Sequence, residues 1–452
     1  MLFVSEQYQP TGATATEISA SVEAGVRTGA LAPGALLPAV RTLADALEVS
    51  PATVAKAYQA LRQRGIVDTD GRRGTRVRAR PPVAVTRPGP SAPAPPGTLD
   101  LSTGEPDPRL LPPLATHLAA VARELADTAS GQGYADAGLL PDLAALAMVR
   151  LADDGLPAGG LTVTSGALDG IERLLTGTLR PGDRVAVEDP GWANLLDLIA
   201  ALGLTPVPMP VDDRGPTEPG LRAVLSAGVS AIVVTTRAQN PTGAALDADR
   251  ADRLRRLLRE ADDVLLIEDD HAAELSDGPP HVLAGVTPRW AFVRSVSKPY
   301  GPDLRIALLT GDETTLSRVA GRMRIGSGWV STVLQRLLGQ LWRDPSVAAT
   351  VAGAGRVYQR RRESLRAALA NHGVASHGGS GINVWVPVTD ETHVVAALQA
   401  AGFTVSTGAR YRLRSAPGIR ITVSGLDEHR AGELAAAVRD ALRPAGLTGV
   451  GR

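Results

Sequence analysis

The chain has 452 residues, with 47 basic and 47 acidic side chains and so no net charge. That length exceeds one compact core and predicts two or three folding units, while the charge balance excludes a protein that is basic throughout. Cysteine is absent, which excludes a disulfide framework and a thiolate metal site, and no metal is expected. With 44% hydrophobic and 21% charged residues the composition is that of a globular chain, and disorder is expected only in a linker. Met1 to Pro10 lacks a basic stretch followed by an apolar run, and nowhere do about 18 apolar residues follow one another, so a cytoplasmic location is expected.

In chain order, Ile18, Val22 and Val26 recur every four residues and predict a first helix, with Thr16 as N-cap and Gly29 near its end. Pro38 opens a second short helix with Val40, Leu43, Ala44 and Leu47 on one face, and Glu48 and Val49 turn the chain toward Ser50. Ser50 followed by Pro51 is a cap and first-turn pair, and starts a third helix. That helix turns Val54, Ala57, Tyr58 and Leu61 inward, stops at Gly65, and leaves Thr53, Lys56 and Gln59 outward. Two short strands, Ile66 to Thr69 and Thr75 to Arg78, joined by Asp70-Gly71-Arg72-Arg73-Gly74, read as a wing. Arg72, Arg73, Arg76, Arg78 and Arg80 carry no acidic neighbour between them, a local basic patch in a neutral chain. Seven prolines between Pro81 and Pro96 then predict an extended spacer of roughly 50 Å at about 3.1 Å per residue.

Past Leu99, short β-rich runs alternate with helical stretches. Strands are expected at Leu161 to Thr164, Arg184 to Glu188, Ala231 to Thr235, Val264 to Ile267, Trp290 to Arg294 and Arg305 to Thr310. The alternation predicts a doubly wound α/β sheet with helices on both faces. After Pro345 a long helix containing Arg360, Arg361 and Arg362 leads to strands at Ile382 to Val388, Phe403 to Ser406 and Ile419 to Val423, a smaller α+β lobe.

Three helices followed by a hairpin fit a helix-turn-helix, whose second helix places outward polar side chains in the major groove while basic residues track phosphates. The same pattern also suits a protein-interaction module. The stretch Thr16 to Val77 resembles the GntR family of winged-helix regulators, through Gly29 to Ala44 (Gly-Ala-Leu-Ala-Pro-Gly-Ala-Leu-Leu-Pro-Ala-Val-Arg-Thr-Leu-Ala), Val49 to Tyr58 and Gly71 to Thr75. The resemblance implies that Arg41, Thr53, Lys56, Arg73 and Gly74 contact double-stranded operator DNA.

Of all the basic residues only Lys56 and Lys298 are lysines, and guanidinium cannot replace an amine that must condense with an aldehyde. Lys298 lies in Arg-Ser-Val-Ser-Lys-Pro-Tyr-Gly-Pro-Asp-Leu-Arg, with Ser295 and Arg305 placed to hold a phosphate on either side of it. Ser165, Gly166 and Ala167 turn a strand into a helix, whose free N–H groups suit the same dianion. Asp269, in Leu-Leu-Ile-Glu-Asp-Asp, can hold a pyridine nitrogen protonated, or belong to a surface acidic cluster; Asn240 can donate to a ring oxygen, though Asn-Pro also suits a simple turn. Trp192 offers a flat face for stacking, or ordinary packing.

Taken in order, Tyr134 in Gly-Tyr-Ala-Asp-Ala-Gly, Thr-Ser-Gly-Ala, Asp-Pro-Gly-Trp, Asn-Pro-Thr-Gly, Glu-Asp-Asp, Ser-Val-Ser-Lys and Arg420 in Gly-Ile-Arg-Ile resemble the fold-type I aminotransferases. That resemblance implies pyridoxal 5'-phosphate carried as an aldimine on Lys298, Tyr134 reaching the partner subunit's phosphate, and Arg420 clamping an effector carboxylate. The implied organisation is a winged helix in residues 1–80, a linker in 81–98 and an aminotransferase-like domain in 99–452. Its large lobe spans about 130–345, and its small lobe 99–129 with 346–452.

A GntR-like reader joined by a spacer to such a domain resembles the MocR family, which implies a head-to-tail homodimer and an effector that is an amino compound or the cofactor itself. Glu-Asp-Asp-His, Gly-Pro-Asp-Leu-Arg and Gly326 to Ser331 resemble the PtsJ-like and PdxR-like branch tied to vitamin B6. Two positions depart from the wider pattern. His271 stands where the family has a tyrosine near the ring's phenolic oxygen, and Ala238 gives no polar side chain before Asn240. These departures point to sensing rather than full transamination. The competing readings are a working aminotransferase with an accessory winged helix, and a vestigial pocket that serves only dimerisation.

Overall fold

The computed structural model describes residues 8–28, 30–63, 66–69, 74–78, 94–127, 138–276 and 278–443. The chain divides into two compact units, residues 1–86 with 179–183 and 199–205, and residues 87–178 with 184–198 and 206–452. No helix among the described residues is long and apolar enough to cross a membrane.

The first unit contains α1 (Ala15–Thr28), α2 (Val40–Leu47), α3 (Pro51–Gln63), β1 (Val67–Thr69) and β2 (Thr75–Val77). Thr14, not Thr16, caps α1. Its hydroxyl accepts the Glu17 N–H at 3.2 Å, and the Glu17 carboxylate accepts from Ala13 N at 2.9 Å and Thr14 N at 3.3 Å. This reciprocal capping box satisfies donors that open the helix, and leaves Thr16 inside the first turn. Glu48, at φ 53°, makes the left-handed turn out of α2. Ser50 then caps α3 by accepting Thr53 N at 3.1 Å. The face expected to point inward does so: Val54, Ala57, Tyr58 and Leu61 pack with Ile18, Val22, Leu43 and Ala44. β1 and β2 pair antiparallel with Val67 opposite Val77, closing the core from the wing side.

The second unit begins with β3 (Leu99–Asp100), α4 (Ala115–Asp127), α5 (Pro141–Asp153), β4 (Gly160–Thr164), α6 (Ala167–Thr178), β5 (Arg184–Asp189), α7 (Ala193–Ala201), β6 (Thr205–Asp212) and β7 (Gly215–Pro216). There follow α8 (Glu218–Ser226), β8 (Ala231–Thr235), α9 (Ala248–Leu258), β9 (Leu265–Asp270), β10 (Arg289–Ser295), α10 (Ser297–Tyr300), β11 (Ala307–Gly311), α11 (Glu313–Ile325) and α12 (Thr332–Arg343). The last described elements are α13 (Pro345–Asn371), β12 (Asn383–Pro387), α14 (Glu391–Ala400), β13 (Phe403–Thr404), β14 (Ser406–Thr407), β15 (Gly418–Thr422) and α15 (Ala431–Leu442).

Eight strands form one sheet in the order β4-β11-β10-β9-β8-β5-β6-β7. β10, β9, β8 and β5 run parallel, whereas β11 is antiparallel to both β10 and β4. Every residue of β8 and β9 is buried, as expected of strands covered on both faces. β6 escaped the sequence reading because Pro206, Pro208 and Pro210 interrupt it. Alternate residues of a strand aim their N–H groups at the same edge, so these prolines withhold donors from one edge only. β11 starts two residues later than expected, because Arg305 sits at φ 46°, outside strand geometry. A smaller sheet, β12-β15-β14, packs on α13, α14 and α15 through Val384, Val386, Leu398, Ile419, Ile421 and Leu434. The expected strand Phe403 to Ser406 is split: β13 pairs with β3, and β14 with β15.

Candidate cofactor site and DNA-reading surface

The carboxyl ends of the parallel strands converge on one edge of the large sheet, where open α/β sheets bind ligands. Across that edge Thr164, Ala307 and Ser295 lie in one register, and Thr235, Asp269 and Val293 in another. Ser295 ends β10, and its hydroxyl accepts Ser297 N at 3.2 Å, which turns the chain into α10 and sets Lys298 just beyond the strand. Burial of the Lys298 amine and the neighbouring Arg420 guanidinium push its pKa down to about 8, against the opposing pull of Asp269 and Glu105. An amine so placed is a nucleophile near neutral pH.

Of the groups suited to a phosphate, Arg305 and the Ser165-Gly166 turn come together. Arg305 donates from a terminal nitrogen to the Ser165 carbonyl at 3.2 Å. A Cβ on Gly166, at φ +98°, would lie 2.7 Å from the same Arg305 nitrogen, so only glycine lets the guanidinium close over this turn. Ala167 opens α6, and the N–H groups of a helix's first turn suit an anion. The Ser165 N–H is taken: it donates to Asp169 Oδ2 at 2.9 Å, which fixes the turn rather than leaving that donor for a ligand.

Asp269 is buried on β9, and its Oδ1 has no hydrogen-bond partner among the described residues. Its Oδ2 lies 3.2 Å from His271 Nδ1. Trp192 lines the same cleft as Asp269, together with Glu188, Thr235 and Val233. Asn240 is half-buried and accepts from Arg420 at 3.1 Å. Arg420, on β15, is buried beneath the Tyr411 ring at 4.8 Å and also donates to the Ser102 carbonyl. Its Nε has no partner among the described residues. Tyr134 and Arg73 lie outside the described residues.

Several supporting groups were not singled out from sequence. Glu188 is buried, and burial lifts its pKa to about 7; it accepts from Thr235 N at 3.0 Å and from Gln239 Nε2 at 3.1 Å. Gln239 also donates to the Pro190 carbonyl at 2.8 Å, so it ties the Asn240 turn to the Trp192 turn. Asp189 accepts from the backbone of Leu413, Arg414 and Ser415 at 2.7 to 2.9 Å, binding the Trp192 turn to the segment before β15. Glu188 and Asp189 sit inside the Glu-Asp-Pro-Gly-Trp motif, which was the available signal. Asp270, on the opposite face of β9 from Asp269, is paired with Arg237 and Arg294 and held well below the usual carboxylate range by them.

The residues present fit pyridoxal phosphate: an amine for its aldehyde, a glycine turn and guanidinium for its phosphate, and a bare buried carboxylate oxygen for its ring N–H. In the first unit Arg41 is exposed at the start of α2 and Lys56 is exposed on α3, whereas Thr53 is half-buried with its hydroxyl 2.8 Å from that of Ser50. Gly74 adopts φ +81° at the foot of β2, where a Cβ would meet Leu36 at 3.0 Å.

Fold and site together define a DNA-binding winged helix joined to a pyridoxal-phosphate domain of aminotransferase architecture. The class I and II aminotransferase model matches residues 96–438, and the model of bacterial regulatory proteins of the gntR family matches residues 14–77. The chain belongs to the gntR-type transcriptional regulators of the MocR kind, which carry a class I and II aminotransferase domain. It is 38% identical to the vitamin B6 salvage pathway transcriptional repressor PtsJ of Salmonella typhimurium, over 95% of this chain and 99% of that protein. It is 28% identical to the pyridoxine biosynthesis transcriptional regulator PdxR of Corynebacterium glutamicum, over 80% of each. The crystal structure of Pyrococcus horikoshii kynurenine aminotransferase covers 76% of this chain, and this chain 91% of it, with TM-score 0.68 at 22% identity; that likeness is one of fold.

Proposed function

We propose that this regulator reads the cell's supply of pyridoxal phosphate, taking the cofactor covalently onto Lys298 and changing its hold on operator DNA as a result. The observation that carries the reading is Lys298 with its lowered pKa beside the bare Asp269 Oδ1, in a chain that also bears a winged helix. Bound there, pyridoxal phosphate supplies an aldehyde that links to an amine, and a visible chromophore. Ser295, Arg305 and the Gly166-Ala167 turn hold the phosphate, Asp269 keeps the ring nitrogen protonated, Trp192 stacks on the ring, and Asn240 meets its phenolic oxygen. Arg41, Thr53, Lys56, Arg73 and Gly74 contact DNA. Residues 1–80 form the reader, 81–98 the spacer and 99–452 the sensor, acting as a head-to-tail homodimer in the cytoplasm with Tyr134 completing the partner's phosphate site. The relatives' vitamin B6 roles support this signal.

One observation favours a second signal. Arg420 is buried with an unpartnered Nε, which suits the carboxylate of an amino compound. The cofactor site that both readings share is tested by visible absorbance of the purified chain with added pyridoxal phosphate, compared with Lys298→Ala. A band in the wild type that the variant lacks is expected; no band in either protein overturns the cofactor assignment.

A further inference from the structure

The two oxygens of Asp269 are treated differently. Oδ1 is buried without a partner among the described residues, while Oδ2 lies 3.2 Å from His271 Nδ1. A buried carboxylate with one bare oxygen is costly unless that oxygen meets a donor. The backbone sets the pairing. Asp269 stands on β9 opposite Thr235 of β8 and Val293 of β10, and β9 ends at Asp270, so His271 is the first residue past the strand, where its ring reaches back to Asp269.

Building on the pyridoxal phosphate reading, we infer that His271 is a positioning residue that acts through Asp269, not on the phenolic oxygen served by the tyrosine it replaces. Its Nδ1–H holds Oδ2, which fixes the carboxylate with its Oδ1 turned toward the ring nitrogen. With Nδ1–H so committed, the far nitrogen of a neutral imidazole is an acceptor and has no proton to give a phenolic oxygen. Asn240 turns its Oδ1 to Arg420 at 3.1 Å, which leaves its Nδ2 as the donor for that oxygen. The histidine therefore moves control of the ring from its oxygen side to its nitrogen side. That suits a site that must hold the cofactor and report on it.

The test uses the full-length chain, and compares cofactor affinity and the visible band in wild type, His271→Asn, His271→Phe and His271→Tyr. Asparagine places an amide N–H where Nδ1–H stands; phenylalanine keeps only the bulk, and tyrosine restores the family's phenol. His271→Asn should hold affinity within about twofold of wild type with an unshifted band, while His271→Phe and His271→Tyr lose about tenfold, the worth of one hydrogen bond to a charged group, and shift the band. Unchanged thermal unfolding of the cofactor-free variants separates this from misfolding. Tyrosine matching wild type while asparagine matches phenylalanine overturns the inference, as does indifference to all three changes. A wild type with no visible band overturns the cofactor reading itself.

Discussion

Arg420 donates to Asn240 Oδ1 at 3.1 Å, so the cation suited to an effector carboxylate is bonded to the amide suited to the ring's phenolic oxygen. A carboxylate drawing on this guanidinium would compete with Asn240 for it, so the proposed site predicts a cofactor spectrum sensitive to ligands at Arg420. In Arg420→Gln the visible band on Lys298 should persist, while the concentration of L-alanine needed to perturb it rises about a hundredfold, as for loss of a buried charged hydrogen-bond partner. An equal response in variant and wild type contradicts a carboxylate role for Arg420.

The depressed pKa of Lys298, about 8 against an ordinary 10.5, predicts that capture of an aldehyde there depends on pH. About one amine in ten is neutral at pH 7 and about nine in ten at pH 9, so the rate at which the visible band appears should rise severalfold between them. The folded chain favours the neutral amine, so Lys298's contribution to stability is fullest above 10.5 and is lost as pH falls through about 8. A capture rate still climbing steeply between pH 9 and 10 would show an unperturbed lysine.

On the DNA side, Lys56 projects from α3 into solvent. Lys56→Ala should weaken operator binding and, where the lost contact is to a phosphate, lower the slope of log affinity against log salt by about 0.9. Ser50→Ala removes the α3 cap, which costs about 1 kcal/mol, and also releases the Thr53 hydroxyl. Fluorescence anisotropy against salt measures the first and denaturant unfolding the second. No change in affinity or slope for Lys56→Ala would remove that residue from the interface.

Behind β9, Asp270 joins Arg237 and Arg294, with Asp154 2.6 Å from Arg294. Asp270→Asn leaves two buried guanidiniums short of charge, and should cost roughly 3–5 kcal/mol in unfolding experiments. A loss below about 1 kcal/mol would mean that Asp154 alone suffices for both arginines.

Most of this architecture was legible because periodicity and motif spacing are local properties. Val54, Ala57, Tyr58 and Leu61 announce their buried face, and the strand ends that carry Ser165, Asp269 and Ser295 announce the edge of a sheet. What escaped was decided by atoms far apart in sequence or by backbone detail. Thr14 outcompetes Thr16 as a cap because Glu17 can reach back to it. β6 hides behind three prolines whose missing donors share one edge. Glu188 and Gln239 bond across 51 residues of chain, and Asp189 reaches the backbone of Ser415 across 226, so neither role has a local signature. The His271 substitution was visible, but its contact with Asp269 required the side chains in place.

The most direct test of the regulator account measures binding to a duplex selected by the protein from a random-sequence pool, titrated with and without pyridoxal phosphate, for wild type and Lys298→Ala. The account predicts that the cofactor changes wild-type affinity severalfold and leaves the variant unmoved. Equal affinity with and without cofactor in the wild type, alongside a visible band that proves the site is loaded, would contradict it.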